Sequence, residues 1–424
     1  MNYFNYVEGE LHCEDLSVSD IVEKEGTPLY VYSLRTLKRH YQVFDRAFAD
    51  IDHLVCFSAK ANSNIAVLRA LVNEGGGVDV VSGGELYRSL KAGADPKKIV
   101  YSGVGKRRDE IRFALESGIL MFNVESPQEL EVINDTARDL KTLAPIALRV
   151  NPDVDPRTHP HISTGLKENK FGIDMEESVV EYRRAAKFEH IEIVGVDCHI
   201  GSQIVELVPF LDALNRMKSM IGLVRAEGIN IRYLDIGGGL GITYDREEPP
   251  HPDDYARAIV EEVRDLQCTL ILEPGRVIAG NAGILVTRVL FTKERDNKRF
   301  IIVDAGMNDL IRPSLYDSYH RVLPVRENVG GTAVADIVGP ICESGDFLVK
   351  NREMPRFERG DLIAVMSAGA YGFTMSSNYN SRPRAAELLV SGKQATVIRK
   401  REGFEDLVRG ETLPGFLLRH DGNR

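Results

Sequence analysis

The residue that most invites a chemical reading is Lys60, in the string CFSAKANSN (56–64). It closes an apolar stretch, where a long cation loses water unless it projects into a cavity towards a partner. Burial disfavours the ammonium form, so the pKa of such a lysine is expected to fall and leave an amine nucleophile for a carbonyl group. The plain alternative is a stem that snorkels until its charge reaches solvent. Two glycine-bearing strings come next. Asp235-Ile-Gly-Gly-Gly-Leu-Gly241, which includes Gly239, follows a strand-like run; opening a helix, it would offer backbone N–H groups to an anion, and otherwise it serves close packing. Glu273-Pro274-Gly275-Arg276 sets an acid three residues before a guanidinium. That carboxylate could accept a hydrogen bond from a pyridinium N–H, and the arginine could face a phosphate or carboxylate; an ion-paired turn is the simpler reading.

His199 and Ser202 share the string CHIGSQ. A neutral imidazole can stack on a flat ring and a hydroxyl can donate to phosphate, although a satisfied core histidine fits equally. Cys342 and Glu343, in GPICESGD, pair a thiol proton donor with a carboxylate suited to an ammonium; a lone cysteine in an apolar run is also a small buried hydrophobe. Arg312 and Tyr316 (RPSLY) and Tyr371 (GAYGF) add polar groups in loops rich in Gly or Pro.

Something must bring these scattered positions together. Short apolar, β-branched runs end in small or polar residues at 53–60, 77–82, 98–103, 120–126 and 145–151, and again at 193–201, 232–239 and 270–276. Between the first five lie segments with helical spacing of apolar positions, such as GELYRSLKAG and RDEIRFALESG, that close on glycines suited to helix C-termini. Eight βα units with no reversal predict a closed (β/α)8 TIM-like barrel rather than an open doubly wound sheet. Lys60, His199, the glycine loop and Glu273 then fall at C-terminal strand ends, the rim where barrels build active sites. From about residue 280 period-two runs replace the helical pattern, as in RFIIVDAG and AAELLVSGKQATVIRK, which predicts an all-β domain. The expected division is residues 31–279 for the barrel and residues 1–30 with 280–424 for the β domain, the strand-like TPLYVYS lying at the junction.

Composition narrows the classes. The 53 Lys and Arg against 63 Asp and Glu give a net charge of −10, which argues against nucleic acid or an anionic membrane as partner. The start of the chain lacks the basic residues and apolar run of a signal peptide, so a cytoplasmic location is expected. Five cysteines without a CxxC pair favour neither a disulfide framework nor a metal site.

The strings together resemble the meso-diaminopimelate decarboxylases, pyridoxal-phosphate enzymes of the alanine-racemase-like fold group that also holds ornithine and arginine decarboxylases. The resemblance rests on AKAN, DVVSGGEL, RVNPD, HISTGLKENKFGI, CHIGSQI, LDIGGGLG, EPGR, RPSLY, GPICESGD and GAYGFTMSSNYNSRPR, in the family's order over nearly the whole chain. It implies decarboxylation of meso-2,6-diaminopimelate to L-lysine and CO2, the last step of lysine biosynthesis, with pyridoxal 5'-phosphate held covalently on Lys60. By the same resemblance Gly239 and the Glu273, Pro274, Gly275, Arg276 segment bind the cofactor, Ser202 its phosphate, and Glu273 its ring nitrogen, with His199 stacked on the ring. Arg276, Arg312 and Tyr316 would take a substrate carboxylate and Glu343 an ammonium, with Tyr371 touching both cofactor and substrate. Cys342 would donate a proton, delivered with Glu343 into the other subunit's site, which implies a homodimer. The rival readings are a decarboxylase of the same fold group acting on another amino acid or a carrier-bound acyl substrate, a racemase, which would place arginine where Glu273 stands, or a non-catalytic homologue.

Overall fold

The computed structural model describes residues 2–155, 170–295, 298–327 and 330–417. The HISTGLKENKFGI string therefore lies outside the described residues as far as position 169. Four short strands come first: β1 (Phe4–Val7), β2 (Glu10–Cys13), β3 (Leu16–Ser17) and β4 (Leu29–Ser33). Next are β5 (His53–Ser58), β6 (Gly77–Val80), β7 (Ile99–Tyr101), β8 (Met121–Val124), β9 (Ala144–Asn151), β10 (Ile173–Asp174), β11 (Ile191–Asp197), β12 (Tyr233–Asp235) and β13 (Thr269–Leu272). β10 only extends β9 at one edge. The other eight pair in parallel in the order β5-β6-β7-β8-β9-β11-β12-β13, and β13 pairs back onto β5, so the sheet closes into the expected barrel.

Helices between the strands start where the sequence supplies caps. Asn64 Oδ1 accepts from the Ala66 N–H (3.0 Å), Ser82 Oγ from the Glu85 N–H (3.2 Å) and Ser126 Oγ from the Glu129 N–H (3.2 Å). The helix Arg108–Ser117 ends on Gly118 at φ 69°, a left-handed position that glycine takes without Cβ strain. The glycine loop after β12 departs from expectation, because no helix opens there and the next one starts at Pro252.

Side-chain alternation divides the barrel interior into two layers. Cys56, Val100, Met121, Ala147 and Ile271 form a dry floor with Val194. Two residues further along the same strands stand Ser58, Ser102, Asn123, Arg149 and Glu273, all buried. Period two thus puts polar side chains one pleat above apolar ones, at the C-terminal mouth.

The later strands are β14 (Gly283–Arg295), β15 (Lys298–Val303), β16 (Val322–Pro324), β17 (Thr332–Val338), β18 (Phe347–Pro355), β19 (Leu362–Val365), β20 (Ala386–Ser391) and β21 (Gln394–Arg399). They form a second sheet in the order β18-β17-β15-β14-β4-β20-β21, with β19 bridging β14 and β16. The early strand β4 lies inside that sheet, antiparallel to β14 and parallel to β20. Leu29, Val31, Ile284, Val286, Ala364 and Leu388 bury one face of it together. Among the described residues no helix is long and apolar enough to cross a membrane.

Candidate active site

Lys60 stands two residues beyond β5, and its Nζ lies 3.3 Å from Asp79 Oδ2 at the end of β6. Ser58 Oγ sits 2.9 Å from both that carboxylate oxygen and the Glu273 carbonyl, which ties the first two barrel strands to the last. Burial pulls the Lys60 pKa down, but Asp79, Tyr371 and Glu273 outweigh it, so the pKa is raised rather than lowered. This corrects the expectation from desolvation alone: the site holds the free amine as an ammonium through an ion partner.

Glu273 is the opposite case. Burial, with Asp235, Asp79 and Asp197 close by, raises its pKa well above the ordinary carboxylate value. Ser102 Oγ lies 3.3 Å and Asn123 Nδ2 3.5 Å from its Oε1. The same Asn123 amide donates to Asp235 Oδ2 at 3.1 Å. Its surroundings thus favour the protonated carboxyl more than water would, and Glu273 borders the cavity at the end of β13.

His199 follows β11. The Gly238 N–H donates to its Nδ1 (3.2 Å), which makes Nδ1 the acceptor and leaves the proton on Nε2. Burial, aided by Lys60 and Arg149, lowers its pKa well below the usual value, so the ring is neutral. The glycines of the loop are needed for this approach. A Cβ on Gly237 (φ +65°) would lie 2.5 Å from His199 Nδ1, one on Gly238 2.3 Å from the Glu273 carbonyl oxygen, and one on Gly239 2.8 Å from the Gly201 carbonyl oxygen.

Arg276, buried just past β13, donates from Nη1 to Tyr244 Oη (2.7 Å) and from Nη2 to Ser202 Oγ (3.0 Å). Its guanidinium carbon is 4.9 Å from the Tyr371 ring centroid. Tyr371 holds a left-handed backbone (φ 56°) that a residue with a Cβ adopts at a cost, and its N–H donates to the Ala61 carbonyl (2.8 Å). A cavity of about 440 Å³ is bordered by Lys60, His199, Ser202, Glu273, Arg276 and Tyr371, and also by Arg312 and Tyr316. Gly239, Pro274 and Gly275 line the narrower recess that continues from it past Ser202. Eleven of the thirteen expected site positions thus border one or both spaces, and two do not. Cys342 and Glu343 border neither space. Cys342 is exposed, not a buried hydrophobe, and its N–H donates to Asn380 Oδ1 (2.7 Å). Glu343 Oε2 accepts from the Tyr379 hydroxyl at 3.4 Å.

Sequence reasoning gave no role of their own to Asp79, Asn123, Arg149, Asp197 or Asp235; Arg149 and Asp197 border the cavity, and the other three are buried in the barrel. Arg149 Nη1 donates to Glu125 Oε1 (2.7 Å), and its guanidinium carbon lies 4.7 Å from the Phe171 ring centroid. The available signal was a polar residue at an inward position of an apolar strand, as in GVDVV, MFNVE and YLDIG.

A flat heterocycle carrying an aldehyde and a phosphate fits this donor set: an amine opposite an acid, a neutral imidazole face, glycines that admit no Cβ, and a buried Arg276 whose Nε has no hydrogen-bond partner. Residues 34–280 match the family model described as pyridoxal-dependent decarboxylase, pyridoxal binding domain. The chain belongs to the diaminopimelate decarboxylase family. It is 54% identical to the diaminopimelate decarboxylase of Pseudomonas aeruginosa, the match covering 97% of this chain and 99% of that one. Crystal structures agree: the enzyme from M. jannaschii superposes with a TM-score of 0.94 at 38% identity, covering 98% of this chain and 99% of that one. The enzyme from Helicobacter pylori, complexed with L-lysine, gives 0.90 at 43% identity over 92% of this chain and 98% of that one. Both the barrel and the β-rich domain are shared family architecture.

Proposed function

We propose that the protein removes CO2 from meso-2,6-diaminopimelate to give L-lysine, using pyridoxal 5'-phosphate held on Lys60, in the cytoplasm. The observation that carries this reading is the placement of an amine (Lys60) and a buried carboxyl group (Glu273) on one cavity that also presents two buried arginines, Arg276 and Arg312. The barrel, residues 31–279, would hold the cofactor, and residues 1–30 with 280–424 would supply Arg312, Tyr316 and Tyr371. Lys60 would hold the aldehyde carbon, Ser202, Gly239 and the Pro274–Gly275 turn would receive the phosphate, and neutral His199 would lie against the ring. The Glu273 carboxyl, oriented by Asn123 and Ser102, would face the ring nitrogen and accept the hydrogen bond of its protonated form. When bound, this cofactor supplies an electron-withdrawing ring that shares the electron pair left on Cα as CO2 departs.

The remaining residues select and protonate. Arg276 and Arg312, with Tyr316, take the carboxylate at the end of the substrate that is not decarboxylated, and Tyr371 contacts cofactor and substrate. The C–C bond to the departing carboxyl breaks, and Cα receives a proton from the Cys342 thiol, which is restored from water. Because Cys342 and Glu343 do not border the cavity of their own chain, they support a homodimer in which a second copy supplies both, Glu343 receiving the distal ammonium. A general acid so placed contributes about 10²- to 10⁴-fold. The test is a substrate panel followed by CO2 release. The expected result is turnover of meso-diaminopimelate with L-lysine formed one for one; release from ornithine or arginine but none from meso-diaminopimelate would overturn the reading and favour another branch of the fold group.

A further inference from the structure

Tyr244 lies in the loop between the glycine run and the helix that starts at Pro252, and it borders neither the cavity nor its recess. It is nonetheless in contact with both buried arginines. Its hydroxyl accepts from Arg276 Nη1 (2.7 Å), and its ring centroid lies 5.8 Å from the Arg276 guanidinium carbon and 5.5 Å from that of Arg312. Two guanidiniums gathered at one buried site repel each other, and such repulsion is strong where water is scarce. An aromatic face attracts both cations, and a phenol oxygen accepts from one of them. Each arginine keeps one Nε–H without a hydrogen-bond partner, while Ser202 and Ser318 hold a terminal nitrogen of Arg276 and Arg312 at 3.0 and 3.2 Å.

The tyrosine is itself fixed from behind. Its N–H donates to Glu247 Oε2 (3.0 Å), and the neighbouring Ile242 is held through both its N–H and its carbonyl by the Gln203 side-chain amide (3.2 and 2.6 Å). The His320 ring packs edge-on against it with centroids 5.3 Å apart, and His320 is anchored through Nδ1 to the Met366 carbonyl (2.9 Å). That histidine is neutral because burial, with Arg312 nearby, lowers its pKa to about 3, so it adds no third positive charge. Burial alone would raise the Tyr244 pKa, but Arg276 and Arg312 reverse the direction and lower it, as expected of a phenol facing two cations.

We propose that Tyr244 is a positioning residue that holds Arg276 and Arg312 side by side as a receiver for one carboxylate of the ligand. This deepens the function proposed above and rests on it for the identity of the ligand. The closing experiment separates the two. In cofactor-free protein, the ultraviolet difference spectrum between wild type and Tyr244→Phe reports the phenol against pH; it should titrate below the ordinary tyrosine value, and glutarate, a five-carbon dicarboxylate, should move it upward by neutralising the arginines. In the holoenzyme, Tyr244→Phe should raise KM for meso-diaminopimelate about tenfold, with kcat within about threefold and the cofactor spectrum unchanged. Tyr244→Leu, which also removes the ring, should raise KM further, and the phenylalanine variant carries the test should the leucine one not fold. A phenol insensitive to glutarate, or a KM within twofold of wild type in Tyr244→Phe, would overturn the positioning role. A wild-type enzyme inert towards meso-diaminopimelate whose phenol still answers to glutarate would overturn the substrate assignment and leave the receiver supported.

Discussion

Replacing Gly238 by alanine tests whether the glycine loop exists to let backbone approach backbone. An added Cβ would lie 2.3 Å from the Glu273 carbonyl oxygen and 3.1 Å from its carbonyl carbon. Neither atom is the end of a flexible side chain, so the strand end or the loop must move. The loop cannot yield without losing the Gly238 N–H bond to His199 Nδ1, and the strand end cannot yield without shifting Glu273 and the Ser58 contact to its carbonyl. Overpacking of this kind costs about 1–3 kcal/mol, and because the displaced groups are those assigned to the cofactor, the loss should appear in cofactor affinity as about 5- to 150-fold. Fluorescence titration of cofactor-free protein with pyridoxal 5'-phosphate, beside a thermal melt, measures both parts. Gly222→Ala is the control: it lies within the helix Val208–Ala226, an added Cβ meets nothing within 4 Å, and it should stabilise by about 0.5–1 kcal/mol without touching affinity. A Gly238→Ala protein that binds cofactor and melts as wild type does would refute the close-approach argument.

Lys60→Ala should fold normally, show no visible cofactor band stable to dialysis, and lose nearly all turnover, which an absorbance spectrum and a CO2 assay check together. Cys342→Ala should keep that band yet turn over at least 100-fold more slowly, and mixing it with Lys60→Ala should restore part of the activity through hybrid dimers; exchange of subunits with no recovery would count against the shared site. Asp79→Asn removes the carboxylate that most raises the Lys60 pKa, so the free amine should appear at lower pH, and the rate of cofactor attachment plotted against pH should shift towards acid. Lys106 is fully buried and donates to the Gly103 and Asn123 carbonyls and to Glu129 Oε1 (2.8, 2.7 and 2.7 Å); Lys106→Met should cost about 3–5 kcal/mol in a denaturant melt by stranding Glu129.

The barrel was legible because its signal is redundant: eight strands repeat one pattern, and glycines such as Gly118 mark helix ends by residue type alone. Lys60, His199 and Glu273 were legible for a related reason, since each breaks an apolar run near a strand end, and Ser202 was read from its place beside His199. Asp79, Asn123 and Asp235 break such runs too, but a polar residue inside a strand declares itself only once its register is fixed and its inward face known. The sign of the Lys60 pKa was out of reach because it depends on a neighbour 19 positions away whose oxygen lies 3.3 Å from the amine. Tyr244 carried no signal at all. It sits in an irregular loop, and its importance comes from two arginines brought there by different domains. The place of Cys342 was not legible, because an apolar run in the sequence does not reveal that its cysteine stands at the surface.

The position of β4 constrains how such a molecule can be made. Residues 29–33 leave the ribosome long before their two neighbours, the strands 283–295 and 386–391. The segment must wait with both hydrogen-bonding edges bare while some 250 residues of barrel are synthesised and folded behind it, and then a hundred more. Nascent chains halted anywhere before residue 386 would expose a half-built sheet, since the strand that seals β4 is made some 350 residues after it.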